Sequence, residues 1–133
     1  MKGNAVWDLG NELEAKAREV VDAGFHVHRE LGPGLLERVY ESALVHELTS
    51  RELSVQRQVQ VPLLYKGIPL EDPLRLDLLV DGAIILEVKA VEAILAVHKA
   101  QLMSYLRLSG FRLGFLMNFN VPIFKDGIRR IVL

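Results

Sequence analysis

Asp77 and Glu87 interrupt segments 74 to 80 and 83 to 90, which are otherwise largely apolar, and Lys89 follows two residues after Glu87. A carboxylate withdrawn from water is unfavourable unless a cation or hydrogen bonds compensate it, so this pair needs a neutralising partner. Two carboxylates at adjoining strand positions can hold Mg²⁺ or Mn²⁺ through hard oxygen ligands, with water completing the shell. Residues two apart on a strand face the same side, which sets Lys89 beside Glu87. An ammonium there can steady the charge developing on a phosphate, or orient and help deprotonate an attacking water. The plainer reading of the same residues is a surface ion pair, Glu87 with Lys89, and a solvated Asp77.

The turn between the two segments decides whether the carboxylates can meet. Asp81-Gly82 is a hairpin signal. A strict two-residue loop pairs Val80 with Ala83, sets Asp77 opposite Leu86 and turns Glu87 to the other side. A three-residue loop, Val80-Asp81-Gly82 with Gly82 left-handed in a G1 bulge, pairs Leu79 with Ala83 and Asp77 with Ile85. Asp77, Ile85, Glu87 and Lys89 then share one face, while Leu76, Leu78, Ile84, Leu86 and Val88 form an apolar face. The bulged turn is expected because it gives both a shared site and a clean core face.

Around this hairpin the elements follow from periodicity. Asn11 with Glu14 three residues on has the form of a capping box, and Leu13, Ala17, Val20, Gly24, Val27 and Leu31 recur at helical spacing, predicting a helix over 12–31. Gly32-Pro33-Gly34 stops it, and Leu36, Val39, Tyr40, Ala43, Leu44 and Leu48 predict a second helix over 35–51. Period two from Val55 to Tyr65 predicts a strand, at an edge or bulged because Pro62 lacks an amide donor. Residues 66–73 read as a connection. A helix over 94–109 ending at Gly110, a buried strand over 112–119 and a last strand over 127–133 complete the chain. The order ααβββαββ implies an α/β fold, a mixed β-sheet flanked by helices.

Bulk properties bound the function without choosing it. The 133 residues are half hydrophobic and one quarter charged, which suits one globular domain over 1–133 with a loosely ordered segment at 1–10. There is no cysteine, so disulfides, thiolate metal sites and cysteine nucleophiles are excluded, and a cytoplasmic protein is expected. No stretch approaches the length of a membrane span, so no membrane partner is expected. A formal net charge of −1 means that nucleic-acid contact would come from a local basic patch.

Asp77, nine residues, then Glu87-Val88-Lys89 has the form of the PD-(D/E)XK nuclease signature, although Leu76 precedes Asp77 and the nearest proline is Pro73. Gly34-Leu-Leu-Glu37-Arg-Val-Tyr40 matches a GxxExxY pattern, and Gln101-Leu-Met-Ser-Tyr105 resembles the QxxxY element of the recombination-exonuclease branch of that superfamily. With Asn118-Phe119-Asn120 and Gly127-Ile128-Arg129-Arg130, five separated segments match in order. The chain thus resembles the GxxExxY family of the PD-(D/E)XK superfamily, from about His28 to its end. The resemblance implies a restriction-endonuclease-like core and a nuclease that uses Mg²⁺ or Mn²⁺ on phosphodiesters, with DNA as the nucleic-acid substrate. Asp77, Glu87 and the Val88 carbonyl would hold the metal, Glu37 would assist directly or through water, and Lys89 would be the catalytic lysine. Gln101 and Tyr105, four apart on one helical face, would line the cleft with His98 beside them.

Each of these residues also has a structural role open to it. Glu37 near a helix start is favoured by the helix dipole, Tyr40 reads as core, and His98 can serve as a local hydrogen-bonding group. His26 and His28, two apart, face different directions. Asn118 and Asn120 could contact substrate or form a turn, and Lys99, Arg107, Arg112, Lys125, Arg129 and Arg130 could track phosphates or form a solvated surface. Two other functions compete: a nucleic-acid- or protein-binding module that does not cleave, and a metal-dependent hydrolase of small phosphate esters. The chain has little length for a separate reading domain, so a homodimer or a partner protein is expected to assist recognition.

Overall fold

The first two elements, in a computed structural model that describes residues 9–133, are helices α1 (Asn11–Leu31) and α2 (Glu37–Ser50). The apolar stripe of α1 buries Ala17, Val20, Ala23, Gly24 and Val27 at three- and four-residue intervals, as an amphipathic helix must. The expected capping box is absent. Asn11 is already helical, Gly10 is the N-cap, and Glu14 turns away to grip Arg130 with both oxygens at 2.8 and 2.7 Å. The bidentate ion pair offers Glu14 more than a reach back to the helix start would. The segment expected over 1–10 lies, through residue 8, outside the described residues, while Leu9 packs against the core.

The Gly-Pro-Gly corner needs its glycines, because Gly32 and Gly34 take φ of 68° and 98°, a region costly for other residues. Tyr40 closes this corner from within. Its buried hydroxyl donates to the Gly32 carbonyl at 2.6 Å and accepts from the Leu35 amide at 3.1 Å, and its ring stacks on Phe119 at 4.6 Å. The first turn of α2, with Glu37, is thereby fixed against the core.

Strands β1 (Val55–Val61), β4 (Leu74–Val80), β5 (Ile84–Lys89), β6 (Leu113–Asn118) and β7 (Ile128–Val132) form one sheet, in the order β1-β4-β5-β6-β7. The strand expected over 55–65 stops at Val61, just before Pro62; its last residues form a separate short strand, β2 (Leu64–Tyr65), which pairs with β3 (Ile68–Pro69) from the segment read as a connection. Helix α3 (Ala96–Ser109) links β5 to β6, which run parallel, while the other neighbours run antiparallel. A 3₁₀ turn at Phe124–Gly127 leads into β7.

Two apolar clusters sandwich the sheet. On one side Leu78, Val80, Ile84, Leu86 and Val88 pack with α1 and α2; on the other Leu79, Ile85 and Leu116 pack with Leu102 and Leu106 of α3. β6 is buried along its whole length, as befits an inner strand covered on both faces. The result is a mixed five-stranded sheet flanked by helices, consistent with the restriction-endonuclease-like core expected. No helix among the described residues is long and apolar enough to cross a membrane.

Candidate active site

The β4–β5 hairpin carries the two central carboxylates, and its turn differs from the expected one. Leu78 pairs with Leu86, Leu79 with Ile85 and Val80 with Ile84, so the connecting residues are Asp81, Gly82 and Ala83, and Leu79 does not face Ala83. Asp81 and Gly82 both take positive φ, 50° and 61°, and the Ala83 amide bonds back to the Val80 carbonyl at 2.9 Å. Asp81 tolerates this because its carboxylate accepts from the Ser54 amide at 2.7 Å and the Ser54 hydroxyl at 3.1 Å, with Lys16 Nζ 3.4 Å away. The register slides by two residues relative to the expected one, so side-chain faces are unchanged. One step beyond Leu78 and Leu86, it sets Asp77 opposite Glu87 rather than Ile85.

At that step the ladder ends. The Asp77 amide donates to Glu87 Oε2 at 3.0 Å, and the Val88 amide donates to Asp77 Oδ2 at 2.9 Å. Side-chain oxygens thus take the place of cross-strand carbonyls, which satisfies backbone donors that burial would otherwise leave costly. On the other side of β4 the pairing runs from Arg57 with Leu78 to Val59 with Leu76, leaving out Gln58 and Asp77, and Gln58 takes a φ of 50°.

This kink reverses the faces beyond it. Val55 packs with the α1–α2 cluster but Val59 and Val61 with the α3 cluster; Leu78 belongs to the first and Leu76 to the second. The single apolar face expected for Leu76 together with Leu78 is therefore corrected, as is the uniform alternation expected along β1.

Lys89 Nζ lies 3.5 Å from Gln101 Oε1, and Gln101 Nε2 donates to the Tyr105 hydroxyl at 2.9 Å, so β5 and α3 meet in a polar chain. Gly114 permits the close approach of α3, since a Cβ there would lie 2.9 Å from Leu102 and 3.3 Å from the Ile85 carbonyl. Glu37 sits at the start of α2 and accepts from the Ala90 amide at 3.2 Å. His98 spends Nδ1 on the Leu95 amide at 2.9 Å, capping α3, and also lines a cleft of about 540 Å³ with Lys89, Val97, Ala100, Gln101 and Ser104. A second cleft of about 450 Å³, lined by Leu35, Leu36, Glu37, Arg38 and Ala90, opens beside Glu37. A larger apolar cleft between α1 and β7 holds none of these residues.

Several other sequence candidates have structural partners. Asn118 is buried and brackets Val91, accepting from its amide at 3.0 Å and donating to its carbonyl at 2.9 Å, which pins the chain just after Lys89. Asn120 joins the same turn through its amide. His28 contacts the Val121 carbonyl at 2.7 Å and His26 approaches Asp22 at 3.4 Å, so the two do face different partners.

Glu41 was not among the sequence candidates. It is only 6% exposed, and its carboxylate accepts from Arg57 Nε at 3.1 Å and from Gln58 Nε2 at 3.1 and 3.3 Å. A signal for it existed: Glu41 lies four residues after Glu37, on the same face of α2.

Burial dominates the electrostatics. Glu87 is 3% exposed, and desolvation, reinforced by the neighbouring Asp77 charge, pushes its carboxyl up to about 8. Asp77 is also raised, first by burial and then by Glu41 and Glu37, against the opposing Val88 amide and Lys89. Tyr105 is raised by burial and by the Glu87 charge. Such a carboxylate pair fits a hard divalent cation, whose charge would relieve both burial and mutual repulsion. Among the described residues no cluster of three or more His, Asp or Glu side chains is poised as a metal cage.

No curated protein and no solved structure matches the sequence. The family model of the PD-(D/E)XK nuclease superfamily matches residues 14–131, a span that begins in α1, takes in the interrupted hairpin and ends in β7. With that match over most of its length, the chain belongs to the PD-(D/E)XK nuclease superfamily.

Proposed function

We propose that the protein is a metal-dependent nuclease of the GxxExxY group, hydrolysing phosphodiester bonds in DNA with Mg²⁺ or Mn²⁺. The observation that carries this reading is the buried, mutually repelling pair Asp77 and Glu87, with Lys89 two residues on along the same strand. Asp77, Glu87 and the Val88 carbonyl would hold the cation, and Glu37 would assist directly or through water. When bound, the cation acts as a Lewis acid and lowers the pKa of the water it holds. Lys89 orients the attacking water and offsets charge developing on the phosphate, while Gln101 keeps the lysine facing the cleft. Tyr105 supports Gln101, and His98 fixes the start of the helix that carries both. The corner logic of Gly34, Glu37 and Tyr40 supports the GxxExxY assignment, since Tyr40 locks the turn that presents Glu37.

A second reading, a module that binds nucleic acid without cleaving it, draws support from the same hairpin. One oxygen of each carboxylate is already satisfied by a backbone amide. Incubating the protein with single- and double-stranded DNA and RNA, with Mn²⁺, with chelator and as Lys89→Ala, separates the two. Metal-dependent cleavage lost in Lys89→Ala supports the nuclease; binding without cleavage supports the module; cleavage that persists in chelator or in Lys89→Ala refutes the mechanism.

A further inference from the structure

We propose that Glu41 and Gln58 are positioning residues of the acidic site: Glu41 grips Gln58 and Arg57 and so holds the kink in β1 that releases Asp77 from the sheet. The inference rests on the reading of Asp77 and Glu87 as the working carboxylates. A regular antiparallel pairing of β1 with β4 would carry straight through Gln58 and Asp77, because the register is the same on both sides of them. Instead both drop out, and Gln58 adopts a left-handed φ of 50°, uncommon for a residue with a side chain and foreign to a strand.

The imposing contact is Glu41. Its carboxylate, 6% exposed, reaches from α2 across to β1 and takes Arg57 Nε together with Gln58 Nε2, two successive side chains that a flat strand would point to opposite faces. Holding both on one acceptor is what a kinked strand allows and an extended one forbids. The exchange of faces beyond the kink, Val55 against Val59 and Leu78 against Leu76, is the same distortion seen in the packing. With β4 unpaired on its β1 side at Asp77, that residue is free to place its carboxylate on the Val88 amide and its own amide on Glu87. Glu41 thus shapes the site from outside it, and no contact of Glu41 with the cation is required.

Native-state amide exchange on the metal-free full chain tests this directly. In Glu41→Ala the amides of Asp77 and Val88 should exchange about tenfold faster or more, the scale of a lost charge-assisted hydrogen bond, while the β5–β6 ladder keeps its protection. Glu41→Gln, which retains an acceptor for Gln58 Nε2, should restore most of that protection. Gln58→Ala removes the grip from the exposed strand side and should reproduce the local loss even if Glu41→Ala does not fold. Unchanged exchange at Asp77 and Val88, or loss spread evenly over the sheet, overturns the proposal. Titration of Mn²⁺ alone separates its failure from that of the underlying reading. A wild-type protein that does not bind Mn²⁺ refutes the metal site, whereas the exchange pattern alone decides the role of Glu41.

Discussion

Asp77 and Glu87 stand opposite one another where β4 and β5 part, and each is tied to the other's strand: Glu87 accepts the Asp77 amide, and Asp77 accepts the Val88 amide. The sheet thus trades one rung of its ladder for two inward-facing carboxylates.

Because burial and Asp77 raise the Glu87 carboxyl to about 8, the folded protein binds this proton more tightly than the unfolded chain, whose value lies near 4.5. The resulting stability is fully present below 4.5 and is lost as pH rises through about 8. In chelator, urea denaturation should therefore show stability falling by a few kcal/mol across that window. Glu87→Gln should flatten the dependence.

Lys89→Ala should leave the fold nearly intact, since the side chain is half-buried and its hydrogen bond to Gln101 is long, at 3.5 Å. If Lys89 serves the attacking water, the rate of DNA cleavage in Mn²⁺ should fall by about 10²- to 10⁴-fold. A melting temperature within a few degrees of wild type, alongside that loss, is the expected pair of measurements.

Tyr40→Phe removes both hydrogen bonds across the Gly32–Leu35 corner and strands the Leu35 amide. A loss of about 1–3 kcal/mol in urea is expected, with a lower cleavage rate because Glu37 loses its fixed turn. An equal or more stable variant would contradict the role assigned to the hydroxyl.

Asp81 is opposed by desolvation, yet the Ser54 amide and hydroxyl and Lys16 hold its carboxyl below the ordinary aspartate value of 3.8. Its contribution is present above 3.8 and disappears as pH falls through the lower folded value. Asp81→Ala should cost about 1–2 kcal/mol at neutral pH, comparable to losing a helix cap, and the gap between variant and wild type should narrow in strong acid.

Much of this was legible in the residues. The interrupted apolar strands, the hairpin that carries Asp77, Glu87 and Lys89, and the helices around them follow from period and residue type. The turn was misjudged by one residue because Ala83 is apolar and reads as strand, whereas it lies in the loop. The kink was invisible because Val55, Val59 and Val61 alternate without fault; the left-handed Gln58 is imposed from α2, and no local rule marks a tertiary contact. Glu41, one polar residue in the apolar stripe of Tyr40, Leu44 and Leu48, had a local signal in its spacing of four from Glu37, but its partners Arg57 and Gln58 are set by the tertiary fold. Asn11 looked like a cap only while Arg130, far along the chain, was out of view.

The two walls of the site are unequal. Glu87 and Lys89 sit on a strand whose parallel pairing with β6 continues unbroken, Glu87 beside Leu116 and Lys89 beside Asn118. Asp77 sits on one that has let go of both its neighbours at that point. Any adjustment between the two carboxylates therefore falls on one wall only: Asp77 is held by side-chain contacts alone, while Glu87 and Lys89 are kept in place by the sheet itself.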